Sequence, residues 1–129
     1  MEKKIGELGR TEWALMKICW KKGKSSARVI FEESLKEKQR SYHTVKTILD
    51  RLVKKDYLER EKFGPIWLYS PKVSETSIAS RVTDDFIKTV LDNTIAPVFL
   101  YIVKNKKYSN QIEELRRLIN DLPNDEGVI

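Results

Sequence analysis

An amphipathic segment followed at once by a hairpin pattern, between residues 41 and 70, limits the fold more than any other feature of this sequence. Ser41 stands where a helix N-cap belongs. Residues 57–62 and 66–70 show the alternation and aromatic content of strands, with Gly64-Pro65 as the turn between them. The segment therefore predicts a helix, running to about Lys55, followed by a two-stranded hairpin. The apolar stripe of this helix consists of Val45, Ile48, Leu49 and Leu52.

Two further helices are predicted ahead of this segment. The first spans Thr11–Lys22 and ends at Gly23, which stands where a C-cap glycine belongs. The second spans about Ala27–Lys38, and Ser25 and Ser26 both offer N-caps for it. Three helices followed by a hairpin are the layout of a winged helix-turn-helix. In that fold the third helix enters the major groove of DNA, and the hairpin forms a wing alongside the backbone.

The positive charge is concentrated in the same part of the chain. The 129 residues include 25 lysines and arginines and 19 aspartates and glutamates, a formal net charge of +6 with the single histidine neutral. Residues 1–72 hold 18 cationic and 10 anionic side chains, a net of +8, and residues 73–129 hold 7 and 9, a net of −2. This asymmetry favours a polyanion-binding domain at 1–72 and a domain with another task at 73–129.

The composition also excludes several classes of protein. The single cysteine, Cys19, cannot build a disulfide framework or a multi-cysteine metal site, and its apolar neighbours predict a buried structural thiol. The lone His43 has no metal-ligand partners at suitable spacing. The longest apolar run, Ile95–Val103, is about half of the ~20 residues that a membrane span needs. No nucleophile motif or phosphate loop appears. We therefore expect a cytoplasmic protein that is not an enzyme and uses no cofactor.

Three more helices are predicted in the C-terminal part: residues 74–93, Pro97–Lys104, and a last helix that begins with an Asn110–Glu113 capping box and ends at Pro123. Without a sheet to cover, these helices bury their apolar stripes poorly within one chain. A symmetric homodimer would bury the stripes and pair two DNA-reading heads on a palindromic site. The predicted dimerisation residues are Val98, Phe99, Ile102, Ile112, Leu115, Ile119 and Leu122.

The third helix carries hydrogen-bonding and cationic side chains away from its apolar stripe. Arg51 belongs to this group, and two interpretations fit it: a DNA contact, or an ion pair with a nearby carboxylate. The carboxylates in question are Asp50, Asp56 and Glu59. Near the helix N-terminus, where free N–H groups suit phosphate, the polar residues are His43, Thr44, Lys46 and Thr47.

Several segments, in order, resemble the penicillinase repressor family, the BlaI/MecI group that also includes the copper-responsive CopY repressors. The resemblance extends from about Leu8 to Leu122 and implies a homodimeric transcriptional repressor with winged-helix domains. Its operators would be dyads with TACA/TGTA-type half-sites, controlling genes of β-lactam resistance or a related stress response. The segments are Leu8–Trp20, Ser26-Ala27, Thr44–Lys55, Trp67–Tyr69 and Glu113–Ile119.

The resemblance also assigns roles by position. It implies that Arg60 and Lys62 lie on the wing and contact DNA. It implies a signal-activated protease or sensor-transducer as a partner, which cleaves the repressor in the dimerisation region and so frees the operator. The DNA-reading residues that it implies on the third helix are His43, Thr44, Lys46, Thr47 and Arg51.

This sequence departs from the family pattern at three points. The scissile Asn-Phe step of the β-lactam branch aligns here with Tyr101-Ile102. Asp56 replaces the glycine common after the third helix. The C-terminal cysteine motif of the copper branch is absent, because Cys19 is the only cysteine.

One alternative keeps the fold and changes the function. A winged helix also serves as a small-molecule sensor or a protein-interaction module without operator-specific DNA binding. Val98, Phe99, Tyr101 and Tyr108 would then line a ligand pocket. Stabilisation by a small ligand without DNA binding would favour this interpretation.

Overall fold

The computed structural model describes residues 7–123, which form six α-helices, one 3-10 helix and three short strands. This arrangement confirms the predicted class, mainly α with a small β wing. The chain divides into two compact units, Met1–Ser80 and Arg81–Ile129. In chain order the elements are α1 (Arg10–Lys22), β1 (Ser25–Ser26), α2 (Ala27–Ser34), α3 (Tyr42–Lys54), β2 (Leu58–Phe63), β3 (Ile66–Pro71), α4 (Glu75–Thr89), α5 (Ala96–Lys104), the 3-10 helix (Lys106–Tyr108) and α6 (Ser109–Asn120).

The N-terminal unit packs α1, α2 and α3 together and against the sheet. The predicted stripe of α3 is buried throughout, which fixes the opposite face of that helix toward solvent. Cys19 is fully buried, as predicted, and burial raises the pKa of its thiol to about 12. The other large side chains of this core are Leu15, Met16, Ile30, Leu58, Tyr69 and Ile78.

The sheet is antiparallel with strand order β1-β3-β2. Strands β2 and β3 form the predicted hairpin, in which Phe63 pairs with Ile66 across the turn. Gly64 has φ 61°, a conformation that glycine adopts without a Cβ clash. Strand β1 was not predicted, because a segment of two serines carries no alternating pattern. Pairing of Ser25 with Tyr69 and of Ser26 with Leu68 makes this short segment an edge strand.

Serine side chains begin both helices of the helix-turn-helix, as predicted. The Ser26 Oγ accepts a hydrogen bond from the Val29 N–H at 3.3 Å. The Ser41 Oγ accepts one from the Thr44 N–H at 3.0 Å. Each cap satisfies an N–H group that has no partner within its own helix.

Helix α2 ends at Ser34, so the predicted extension to about Lys38 is wrong. The Ser34 hydroxyl donates to the Phe31 carbonyl at 2.7 Å, and the Arg40 guanidinium donates to the Ser34 carbonyl at 3.3 Å. These bonds close the chain into the turn that leads to α3. A polar run with helical composition does not reveal such a turn, because the turn depends on particular bonds of the Ser34 and Arg40 side chains.

Asp56 follows α3 with φ 68°, in the left-handed region where glycine is more usual. Aspartate occupies this region more readily than most residues because its short polar side chain bonds locally. The Lys72 ammonium lies 3.4 Å from the Asp56 carboxylate. The turn into β2 is therefore made without glycine.

The C-terminal unit consists of helices whose ends differ from the prediction at three points. Helix α6 ends at Asn120, so the predicted end at Pro123 is wrong and Leu122 lies beyond the helix. Helix α4 stops at Thr89 rather than near Asn93, because Asp92 and Asn93 take left-handed conformations with φ 50° and 65°. The predicted cap at Asn110 is wrong, since α6 begins at Ser109 and includes that residue. None of the described helices is long and apolar enough to cross a bilayer.

The division between the units falls inside α4, between residues 80 and 81. The boundary predicted from charge lies between residues 72 and 73. Ile78 explains the later position, since its side chain is buried in the core of the N-terminal unit. The first turns of α4 therefore pack with the winged-helix unit.

Candidate nucleic-acid interface

The solvent-facing side of α3 carries most of the residues predicted to read DNA. His43, Thr44, Thr47 and Arg51 are exposed, and Lys46 is partly exposed. Because the opposite stripe is buried, these side chains are fixed on one rigid helix rather than on a loop. Such a face can enter a major groove, where donors and acceptors distinguish all four base pairs.

Asp50 connects this helix to the wing through three side chains. Its Oδ1 accepts hydrogen bonds from the Tyr69 hydroxyl at 2.7 Å, the Arg60 guanidinium at 3.0 Å and the Lys46 ammonium at 3.2 Å. Its Oδ2 accepts a second bond from Lys46 at 2.9 Å. Lys46 and Arg60 are therefore neutralised in part by one carboxylate.

This network shifts the pKa values of Asp50 and Lys46. Burial alone would raise the pKa of Asp50, but hydrogen bonds from Tyr69 and Lys46 and the charges of Lys46 and Arg60 hold it below its ordinary value. The pKa of Lys46 is raised, because bonds to Tyr69 and Asp50 outweigh the cost of burial. Both shifts favour the charged forms of Asp50 and Lys46, so this ion pair is present at neutral pH.

The wing presents two cations beside an aromatic ring. The Arg60 guanidinium lies 4.6 Å from the centroid of the Trp67 ring, and the Lys62 ammonium lies 5.4 Å from it. Glu61 bonds to Lys24, which joins the wing to the turn before α2. Stacking on Trp67 limits the motion of both cations and keeps them on one side of the hairpin.

The carboxylates suggested as ion-pair partners for Arg51 include two that bind other residues. Asp50 pairs with Lys46 and Arg60, and Asp56 pairs with Lys72. Within residues 7–123, Arg51 forms no ion pair. Arg51 is exposed on the solvent-facing side of α3.

Two residues of this surface were missed by the sequence analysis, Arg28 and Tyr42. The Arg28 guanidinium lies 4.4 Å from the centroid of the Tyr42 ring, and both side chains are exposed. They border a cleft of about 220 Å³ that Lys46, Trp67 and Pro65 of the wing turn also line. The sequence did contain a signal for Arg28, which is a cation in the first turn of α2. In helix-turn-helix proteins the helix before the recognition helix crosses the DNA backbone.

A buried ion pair fixes the far end of α3. The Lys55 ammonium donates to Glu12 Oε1 at 2.8 Å and to the Glu7 carbonyl at 2.9 Å. Glu12 Oε1 also accepts the Gly9 N–H at 2.8 Å, whereas its Oε2 is buried without a partner among the described residues. Burial would raise the pKa of Glu12, but the bonds from Gly9 and Lys55 hold it below its ordinary value.

In the C-terminal unit, α5 and α6 border an apolar groove of about 350 Å³. Three of the predicted dimerisation residues line it: Ile102, Ile112 and Leu115. Tyr108 also lines it, while Val98, Phe99 and Tyr101, which the sensor alternative places in a pocket, do not belong to this groove.

The sequence profile of the penicillinase repressor family matches residues 8–121. The chain belongs to the penicillinase repressor family. It is 33% identical to a penicillinase repressor of Staphylococcus aureus over 95% of this chain and 98% of that protein. It is 34% identical to the methicillin resistance regulatory protein MecI of Staphylococcus aureus strain N315, over 93% of this chain and 98% of MecI.

A solved structure of this family agrees with the N-terminal unit. It is the monomeric form of Bacillus licheniformis BlaI in complex with the blaP half-operator. The two chains are 32% identical, with a TM-score of 0.50, over 58% of this chain and 92% of that one. The winged-helix fold predicted from the order of helices and hairpin is confirmed.

Proposed function

We propose that this chain is a homodimeric transcriptional repressor that binds palindromic operator DNA through α3 and the wing. The observation that carries the proposal is the exposed polar face of α3, which is held on a rigid core beside a cationic wing. The BlaI structure bound to a half-operator supports it, because that relative shares the fold and the family. The operator would be a TACA/TGTA-type dyad controlling β-lactam resistance or related stress genes.

The contacts divide into two kinds. His43, Thr44, Thr47 and Arg51 face outward from α3 and would read base edges. The remaining cations would bind phosphates, which position a protein on DNA without reading sequence. These cations are Lys46, Arg60, Lys62 and, added by the structure, Arg28.

Binding of the full chain to a TACA/TGTA dyad, compared with a scrambled duplex across a salt series, tests this function. We expect dyad-specific binding whose logarithm falls linearly with the logarithm of salt concentration, since cations release counterions from DNA. Arg51→Ala should reduce the preference for the dyad by about 1–3 kcal/mol. Lys88→Ala removes the same charge from an exposed position of α4 and should leave the preference unchanged. Equal binding of the wild-type chain to both duplexes would contradict the proposal.

Dimerisation through the C-terminal unit is the second part of the proposal. None of the described residues of α5 and α6 is buried within the chain. Apolar surface of this extent is unusual on a monomer and is typical of an interface. A second copy would cover it symmetrically. The large apolar side chains exposed on the two helices are Phe99, Leu100, Tyr101, Val103, Leu115, Leu118 and Ile119, and Leu122 is exposed just beyond α6.

Proteolytic relief is the third part of the proposal. The Tyr101-Ile102 bond lies in the middle of α5, which spans Ala96–Lys104. Cleavage there would detach α6 from the DNA-binding unit and remove the dimer surface. Because proteases require an extended backbone, we expect cleavage only after α5 opens locally. Immunoblots of induced cells should show a shortened chain cut near residues 100–103, and an intact chain under full derepression would contradict this mode of relief.

A further inference from the structure

Asp50 is the one acidic residue of α3, whose other outward side chains are polar or cationic. It precedes Arg51 on α3, and its carboxylate lies between the recognition helix and the wing. Lys46 from α3 and Arg60 from β2 both donate to the same oxygen, Oδ1, at 3.2 Å and 3.0 Å. Two cations from different elements are therefore held on one anion.

The position that Asp50 fills is one that suits a phosphate oxygen. Lysine ammonium, arginine guanidinium and tyrosine hydroxyl groups bind phosphate and carboxylate oxygens in the same way. A DNA phosphate near Lys46 and Arg60 would face these two cations together with Asp50. The net charge of the three side chains is +1, whereas the two cations alone would carry +2. The phosphate also meets the negative charge of Asp50 directly, which repels it.

Asp50 is poorly placed to read a base. An aspartate can accept a hydrogen bond from a cytosine amino group in the major groove. Here, however, Oδ1 already accepts three bonds and Oδ2 accepts one, all from side chains of the interface itself. Both oxygens are thus engaged on the side of the helix that faces the wing.

We propose that Asp50 is a specificity-determining residue that lowers affinity for the DNA backbone by neutralising Lys46 and Arg60. Phosphate contacts supply the sequence-independent part of binding. Weakening them leaves recognition to depend on residues outside the network, His43, Thr44, Thr47 and Arg51, and so raises the ratio of operator to non-operator affinity. This inference rests on the proposed function.

The test uses Asp50→Asn in the full chain, with binding to a scrambled duplex and to the dyad measured across a salt series. The amide keeps the size of the side chain and removes its charge. We expect scrambled-duplex affinity to rise roughly tenfold, with a salt dependence steeper by about one phosphate contact. Affinity for the dyad should rise less, so the preference for the dyad falls.

Glu59→Gln is the matched control, because it removes the same charge from an exposed position of β2 beside Arg60. Its effect should stay within about twofold, as is usual for exposed charges. Equal effects of the two substitutions would overturn the inference. A loss of affinity in Asp50→Asn, with an unchanged thermal unfolding midpoint, would also overturn it, because Asp50 would then align the cations for DNA.

A second pair of variants leaves Asp50 intact and does not depend on the folding of Asp50→Asn. Lys46→Met should lower scrambled-duplex affinity less than Lys62→Met, because the Lys46 ammonium is bound by the Asp50 carboxylate, which limits its direct contact with a phosphate, whereas the Lys62 ammonium lies over Trp67. Equal losses would count against the inference. Failure of the proposed function can be told apart from failure of this inference. If the proposed function is wrong, the wild-type chain binds the dyad and the scrambled duplex equally. The comparisons of variants on the scrambled duplex would still decide the role of Asp50.

Discussion

Replacing Leu115 with glutamate is expected to prevent the proposed dimer from forming and to weaken binding to a full dyad by about a hundredfold or more. Leu115 lines the apolar groove between α5 and α6, and 37% of its surface is exposed within one chain. A buried, unpaired carboxylate at a dimer interface is strongly unfavourable, whereas the same carboxylate on a monomer remains in water. The affinity lost in the monomer is the part that comes from linking two DNA-binding units.

The measurement pairs sedimentation velocity with DNA binding. Binding to a single half-site should remain within a factor of a few, because the substitution leaves α3 and the wing untouched. Asn110→Glu adds the same charge to the same helix, at an exposed position outside the groove, and should leave both mass and affinity unchanged. A Leu115→Glu chain that still sediments as a dimer would show that another surface joins the two copies.

Replacing Lys55 with methionine is expected to lower the free energy of unfolding by about 3 kcal/mol, the lower end of the range for breaking a buried ion pair. Glu12 is 5% exposed, so its carboxylate would lose its ion-pair partner in the interior and keep only the weaker influence of the Arg51 charge. We expect a value at the lower end of that energy range because the Lys55 side chain is 29% exposed, which lets water reach the ion pair. Urea denaturation measures the change.

Lys54→Met is the matched control, since Lys54 is the exposed neighbour of Lys55 and loses the same charge. Its effect should stay within about 0.5 kcal/mol. Adding Glu12→Gln to Lys55→Met should recover part of the lost stability, because an amide is cheaper to bury than a carboxylate. If Lys55→Met lowers the free energy of unfolding no more than Lys54→Met does, the Lys55–Glu12 pair contributes nothing to stability.

The same pair predicts a pH dependence. The folded protein holds the pKa of Glu12 below its ordinary value of 4.5, so the unfolded chain binds more protons as the pH falls through this region. The contribution of Glu12 is therefore complete above pH 4.5 and is lost as the pH falls through the folded-state pKa. The difference between wild type and Lys55→Met should narrow over the same interval, because protonation removes the buried charge in both proteins.

Much of the winged-helix unit follows from local patterns. The apolar stripe of α3, the N-caps at Ser26 and Ser41 and the Gly64-Pro65 turn each act within a few residues. These signals specify helices, a hairpin and the face of α3 that remains exposed. They were sufficient to predict the fold and, by resemblance, the family.

Other features depend on contacts between distant residues. Strand β1 exists only because β3, more than forty residues further along the chain, lies beside it. The partners of Asp50 come from residues 46, 60 and 69, on three different elements. The sequence by itself determined which residues form the exposed polar face of α3. Only the tertiary structure decided which of its cations are neutralised, because ion pairing depends on distances that sequence spacing does not set.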